Sequence, residues 1–317
     1  MPKPSSRSPK PPARLHGPGD CVAPLDPQLF APDATRPVRA KSRPLAAETR
    51  VEPHSHAWAQ VAFSGTGVTR VTAGRSTYIV PPSRAVWIPP GVEHAVTVVE
   101  DADLRTLYLH QPAGRCGPDV PPEQEDAWRR CRVIEVSSLL RELVTQLTLI
   151  APAELLAGLT ADGRADTSTE TTDTTTATLA EHADRPREQL LIALLLDELR
   201  RARPLPLGVA LPQDKRLRSL CLAMLDSPAR HATLDGWAAE AGASPRTVAR
   251  LFRQELGTSF QQWRQQVMLA KALSLAARRK PMSVIAAELG YASPSAFSAM
   301  VTRSVGMAPS RFFGGAG

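Results

Sequence analysis

The stretch from Val51 to Gln60 reads VEPHSHAWAQ, and a second stretch, PPGVEH, ends at His94. His54, His56 and Gln60 are separated by even numbers, so on one strand all three side chains point to the same face. With His94 they make three imidazoles and an amide oxygen, a donor set for one divalent transition metal such as zinc, iron, nickel or manganese. The same imidazoles could instead contact an effector, or bind nothing. Trp58, Phe63, Trp87 and Tyr108 could line a small-molecule effector pocket nearby, and could equally be core.

A second chemistry lies near the other end of the chain. In SPRTVARLFRQELG, which starts at Ser244, helical geometry puts Arg246, Arg250 and Arg253 within about 60° of one another. Val248, Leu251, Phe252 and Leu256 fall on the opposite side. One face packs, and the other offers three guanidiniums able to bond guanine O6 and N7 bidentately in a DNA major groove.

Such a helix needs a partner helix to hold it, and the sequence supplies that arrangement twice. Ala238–Pro245 reads AAEAGASP and Ala286–Pro294 reads AAELGYASP. The paired alanines let a second helix cross closely. Gly242 and Gly290 supply the left-handed conformation that ends the first helix. Ser244 and Ser293 cap the second helix, with Pro245 and Pro294 at its first position. The second recognition helix, SPSAFSAMVTRSVG, buries Phe297, Met300, Val301 and Val305. Its open side offers Ser295, Ala296, Ser298, Ala299 and Thr302, with Arg303 the one basic residue there, so it has little reach for base edges. Between the two heads runs TSFQQWRQQVMLAKALSLAARRK, with no internal Gly or Pro. A helix of ~20 residues is ~30 Å long and can set two heads into successive major grooves ~34 Å apart.

The histidines need strands. Between Arg50 and His110, short apolar or alternating runs (QVAFSG, GVTRVTAG, STYIVPP, AVWIPPG, HAVTVVE, LRTLYLH) are broken by Gly and Pro, the pattern of a small antiparallel barrel. Two apolar helices follow. In SSLLRELVTQLTLI the stripe is Leu139, Leu140, Leu143, Leu147 and Ile150. In REQLLIALLLDELRRAR it is Leu190, Leu191, Leu194, Leu195 and Leu199. These stripes pack on the barrel or form a homodimer interface.

The expected organisation has four parts. Residues 1–35, rich in Pro and basic residues, are a disordered tail. Residues 36–115 form the barrel. Residues 116–211 are a helical dimerisation region with a disordered Thr-rich linker at 161–184. Residues 212–317 carry the two helix-turn-helix units. The fold class is therefore α+β multidomain, a β-barrel followed by an all-α domain. Charge divides the same way: 212–317 carries 14 Lys/Arg against 6 Asp/Glu, while 51–211 carries 15 against 21. A basic tail end behind an acidic middle suits a nucleic-acid partner. Cys21, Cys116, Cys131 and Cys221 show no paired spacing, which fits free thiols in a reducing cytoplasm. No stretch has the length or apolarity of a signal peptide core or a membrane span.

The segment from about Leu217 to Phe312 resembles the DNA-binding domain of the AraC/XylS family of bacterial transcription regulators. It is carried by SPRTVARLFRQELGTSFQQWRQQ, VIAAELGYASPSAFSAMVTRSVGMAPSRF and the closing pattern Gly306, Pro309, Phe312. The resemblance implies base reading at Arg246, Ala249 and Arg250, and at Ser295, Ala296 and Ala299. Ser244, Thr247, Arg253, Ser293, Ser298 and Arg303 complete the expected DNA-facing set. Val301-Thr302 and Ala299 depart from the family's more basic second head. The two histidine segments resemble the metal motifs of cupins, with Gln60 where Glu is preferred and Val98 where Asn is common, and AVWIPPGVEH is similar to the cupin-like sensor of AraC-family regulators. The resemblance implies a regulator that binds double-stranded DNA at promoter operators, answers a small-molecule effector, acts as a homodimer, and meets RNA polymerase if it is an activator. The alternative is a cupin metalloenzyme with a helical accessory module, for which two registered helix-turn-helix units have no use.

Overall fold

The computed structural model describes residues 19–24, 28–150, 173–205 and 207–313, with the helix backbone alone for 173–186. Strands β1 (Cys21–Val22), β2 (Val38–Leu45), β3 (Arg50–His54), β4 (Ala59–Ser64), β5 (Thr69–Ala73), β6 (Ser76–Val80), β7 (Arg84–Ile88), β8 (His94–Val98) and β9 (Ala102–Leu109) come first. Then follow β10 (Arg132–Glu135), helix α1 (Ser138–Leu149), helix α2 (Asp173–Arg201), β11 (Pro204–Leu205) and β12 (Val209–Ala210). The strands form two six-stranded sheets, ordered β1-β3-β8-β5-β6-β12 and β11-β10-β7-β4-β9-β2. β4 and β7 sit in the centre of the second sheet and are buried along their whole length, which is why QVAFSG and AVWIPPG read as continuous apolar runs.

Three expectations need correction. The barrel does not stop at residue 115, because β10 and β11 extend one sheet and β12 the other. β11 and β12 have two residues each, too few to show an alternation. The expected disordered tail contributes β1, which pairs in parallel with β3, and a short 3-10 turn at Gln28–Phe30; Val22 and Phe30 are buried. Residues 1–18 lie outside the described residues. Of the expected linker 161–184, residues 173–184 are helical, belonging to α2, and 161–172 lie outside the described residues. This half of the run contains Ala177, Leu179, Ala180, Glu181 and Ala183, all good helix formers.

Helix α1 begins where Ser137 accepts the Leu140 amide proton, and it packs against α2. The leucine stripes divide. Leu140, Leu143, Val144 and Leu147 of α1, and Ile192, Leu195 and Leu199 of α2, are buried. Leu139, Leu149, Leu190 and Leu194 are left 49 to 71% exposed.

Seven further helices make the C-terminal part: α3 (Lys215–Asp226), α4 (Leu234–Glu240), α5 (Pro245–Leu256), α6 (Phe260–Ala277), α7 (Met282–Glu288), α8 (Pro294–Val305) and α9 (Pro309–Phe313). Their core is continuous with the barrel's. Val68, Ile79 and Val209 join one apolar cluster with Trp237, Val248, Phe252 and Trp263; Leu269, Leu273, Phe297 and Phe312 join the main cluster containing Val86 and Trp87. Polar ties cross the same boundary. Trp263 Nε1 donates to Ala210 O at 2.6 Å, Arg70 pairs with Asp226 at 2.9 Å, and Arg278 pairs with Glu100. Arg84, 1% exposed on β7, donates to Phe312 O at 2.7 Å and lies 5.4 Å from the Phe312 ring. No helix among the described residues is long and apolar enough to cross a membrane.

Candidate functional site

The histidines do not share one strand. His54 ends β3, His56 lies in the following turn and Gln60 is in β4, while His94 opens β8 opposite His54 across an irregular register. The turn nonetheless brings the groups together. One ring nitrogen from each of the three histidines lies within 4.8 Å of the others. Gln60 Oε1 is 2.9 Å from His56 Nε2 and 3.1 Å from His94 Nε2.

The second nitrogen of each ring fixes the electronic arrangement. His54 Nδ1 lies 2.8 Å from Glu52 O, His56 Nδ1 2.8 Å from Trp58 O, and His94 Nδ1 2.9 Å from Val92 O. A carbonyl only accepts, so these contacts assign the proton to each Nδ1 and leave each Nε2 of a neutral ring with a lone pair. At His56 and His94 that lone pair then meets another acceptor, Gln60 Oε1. Two arrangements relieve the repulsion: an amide turned to present its NH₂, or a cation held among the four groups. A proton is a poor candidate for that cation. Burial lowers the proton affinity of all three imidazoles, bringing His94 to about 4. Backbone carbonyls holding the far nitrogen are also the usual orienting partners of metal-bound histidine. The residues therefore fit a divalent transition metal.

Of the four aromatic residues expected at an effector pocket, two are core. Phe63 and Trp87 are 1% and 0% exposed, and Trp87 Nε1 donates to Trp128 O. Trp58 stacks on His56 at 5.0 Å, and Tyr108 meets His56 edge-on at 5.1 Å. Beside them a small cavity of about 30 Å³ is lined by Lys41, Arg43, His54, Gln60, Thr106 and Tyr108 among others. Lys41 was not foreseen. In VRAKSRPL it alternates with small residues, the pattern of a solvent-facing basic strand. Two larger adjoining clefts, of about 480 and 610 Å³, lie between the end of β9 and α2. Their charges already pair with one another: Glu125 with Arg115 and Arg129, Glu188 with Arg36, and Asp119 with Arg200. The small cavity adjoins the histidine cluster and is lined by Lys41, so it is the better candidate site despite its size.

At the other end, both repeats fold as helix-turn-helix. Gly242 and Gly290 have φ of +62° and +76°. Ser244 accepts the Thr247 amide proton at 3.1 Å and Ser293 that of Ala296 at 3.2 Å. Alanine at Ser244 should lower unfolding free energy by ~1 kcal/mol in urea titration, with Ser293→Ala costing a similar amount; no change at either would mean that water replaces the cap at no cost. On α5, Val248 and Phe252 are buried while Arg246, Arg250 and Arg253 are exposed, Thr247 and Ala249 lying at the margin. Arg250 Nη1 donates to Gln254 Oε1 at 2.6 Å, which holds the guanidinium along the helix surface. On α8, Ser295, Ala296, Ala299 and Arg303 are exposed and Ser298 half-buried, above buried Phe297, Met300 and Val301. The Thr302 hydroxyl is turned back onto Ser298 O. Helix α6, 18 residues long, separates the heads by ~27 Å of helix.

A ligand-binding barrel joined to two such heads is the build of a DNA-binding transcription regulator. Comparison with known proteins gives the same answer. Residues 44–168 match the AraC-like ligand binding domain and residues 237–314 match a helix-turn-helix domain. The chain is 29% identical over 259 residues to the HTH-type transcriptional regulator NimR of Escherichia coli K12, covering 82% of this chain and 81% of that protein. It is 32% identical over 102 residues to the HTH-type transcriptional regulator RipA of Corynebacterium glutamicum, covering 32% and 31%. It is 30% identical over 131 residues to the arabinose operon regulatory protein of Salmonella typhimurium, covering 40% and 47%. The chain belongs to the AraC family of transcription regulators, with a cupin-like sensor domain ahead of its helix-turn-helix domain.

Proposed function

We propose that this regulator is a cytoplasmic homodimer that reads its operator mainly through α5, answers a small-molecule effector bound in the barrel, and meets RNA polymerase at promoters it activates. The observation that carries the reading is the two-faced α5: three exposed arginines opposite fully buried Val248 and Phe252. The contrast with α8 supports unequal heads, since Ser295, Ala296 and Ala299 cannot make the bidentate contacts that arginine makes. In this reading Ser244, Thr247, Ser293 and Ser298 lie near the phosphates, with Arg253 and Arg303 on the backbone. Selection of binding sequences from a randomised duplex pool tests it. The expected product is a motif strongly fixed in one half-turn and loosely fixed in the next. Equal constraint in both half-turns, or no enrichment, would overturn it.

The exposed leucines on α1 and α2 support the dimer. Large apolar side chains left exposed on a packed helix pair are candidates for an association site. Leu190→Lys combined with Leu194→Lys should shift the protein from dimer to monomer in sedimentation velocity. A dimer that persists would place the interface elsewhere.

One divalent transition metal held by His54, His56 and His94, with Gln60 as the weakest donor, completes the barrel. All four donors are neutral, so a bound ion keeps its full positive charge for an effector. The shared core between barrel and heads supports sensing over turnover, because a change at the barrel has a packed route to the heads.

A further inference from the structure

The small cavity beside the histidines is lined by the Lys41 ammonium and, among the described residues, by no aspartate or glutamate. Lys41 is partly buried on β2. Its ammonium carries three protons to donate, yet among the described residues its one hydrogen-bond acceptor is the Tyr108 hydroxyl at 2.5 Å, supplemented by the rings of Tyr108 at 4.5 Å and Phe30 at 5.6 Å. Aromatic faces attract a cation but accept no strong hydrogen bond. Burial depresses the Lys41 proton affinity to about 7, and its field reaches all three imidazoles. A buried cation without an anion is costly unless something brings the anion in.

We infer that the barrel takes the carboxylate of a small organic acid, with the Lys41 ammonium as its counter-ion and the Tyr108 and Thr106 hydroxyls beside it. The inference deepens the reading of the barrel as an effector site by naming the effector's class. The cavity of about 30 Å³ suits a carboxylate head group, with the rest of the acid extending outward past His54. The same carboxylate, set beside His54 and Gln60, faces the place where a metal among the histidines would sit. An anion arriving beside Lys41 supplies the acceptors its ammonium lacks, which the neutral donors His54 and Gln60 on the same wall do not. A neutral ligand of the same shape leaves the ammonium as poorly paired as before.

The test is isothermal titration calorimetry on the full chain with malonate and with malonamide, its uncharged analogue. The measurements use protein stripped by EDTA and the same protein reloaded with cobalt(II). Malonate should bind at least about tenfold more tightly than malonamide in stripped protein, and more tightly again after reloading. Lys41→Met should weaken malonate by about tenfold or more, while Lys41→Arg, which keeps the charge, should stay within about threefold of the parent. Equal binding of malonate and malonamide to the parent protein would overturn the inference without recourse to any variant. So would full malonate affinity in a folded Lys41→Met protein. Visible cobalt bands separate the two ideas. If no bands form and malonate still needs Lys41, the metal assignment falls and the carboxylate site stands. If bands form but neither they nor the calorimeter responds to malonate, the metal stands and the carboxylate site falls. Selected operator sequences are unaffected by any of these outcomes, so failure here is distinguishable from failure of the DNA-reading proposal.

Discussion

Alanine at Arg246 and Arg250 together should erase the preference for operator over random duplex while leaving measurable affinity for both. A bidentate arginine–guanine contact is worth ~1–3 kcal/mol of discrimination, so two contribute ~2–6 kcal/mol, roughly 30-fold to more than 10⁴-fold. The residual affinity comes from phosphate contacts, which carry no sequence information. Both arginines are exposed on α5, on the side away from Val248 and Phe252. The measurement is fluorescence anisotropy with operator and scrambled duplexes at one fixed salt concentration, because the phosphate contribution varies steeply with salt. Alanine at Ser295 and Ser298 should change the ratio far less. Parallel weakening on both duplexes in the double variant would mean that these arginines touch phosphates only.

Protein purified without a histidine tag should carry about one equivalent of a divalent transition metal, and His56→Ala or His94→Ala should carry none. Metal binding needs neutral imidazole, so protons compete. Here burial lowers the proton affinity of His54 and His56 and brings His94 to about 4. The metal should therefore survive acidification through pH 6.5, where an ordinary imidazole is half protonated, and be lost only as pH falls toward the buried values. The metal-free protein has a stability consequence of definite sign. Below about 6.5 the unfolded chain takes up a proton at His94 that the folded chain refuses until about 4. This contribution is full above pH 6.5 and declines between those limits, by at most about 1.4 kcal/mol per pH unit. Elemental analysis and urea titration across pH 4–8 check both. Equal metal in the parent and His56→Ala proteins would make the histidines effector contacts. Metal-dependent oxygen uptake with a small organic acid would promote the metalloenzyme alternative.

The helix-turn-helix units were legible because their determinants are local. Ser244-Pro245 and Gly242 specify a cap and a turn within four residues, and the second copy repeats them 48 to 49 positions on. The meeting of His54, His56 and His94 was legible as a set of residue types, but not as geometry. The even spacing suggested one strand, whereas a turn at Ser55–Trp58 interrupts it and still delivers His56 to Gln60. Lys41 was illegible because its distinguishing property is what lies around it, Tyr108 sixty-seven residues away and Phe30 across the sheet face. Trp87 illustrates the opposite error. An aromatic residue next to a ligand motif looks like pocket lining, yet its indole spends its one donor on Trp128 O inside the core. The edge strands β11 and β12 follow the same logic, since two residues carry no period and only the sheets they join define them.

The bond from Arg84 to Phe312 limits how freely this protein can be recombined. Regulators of two parts invite chimeras in which one sensor is spliced to another reader at the connecting segment. Here the donor lies in a central barrel strand and the acceptor in the last helix, 228 residues apart. A foreign sensor lacking an arginine at that place would leave the Phe312 carbonyl without this donor; a foreign reader would remove one acceptor of a buried guanidinium, leaving it Ser83 O and Glu135. Either transplant should need compensating changes on both sides of the seam, so descent with exchange of parts would conserve the two halves as a matched pair.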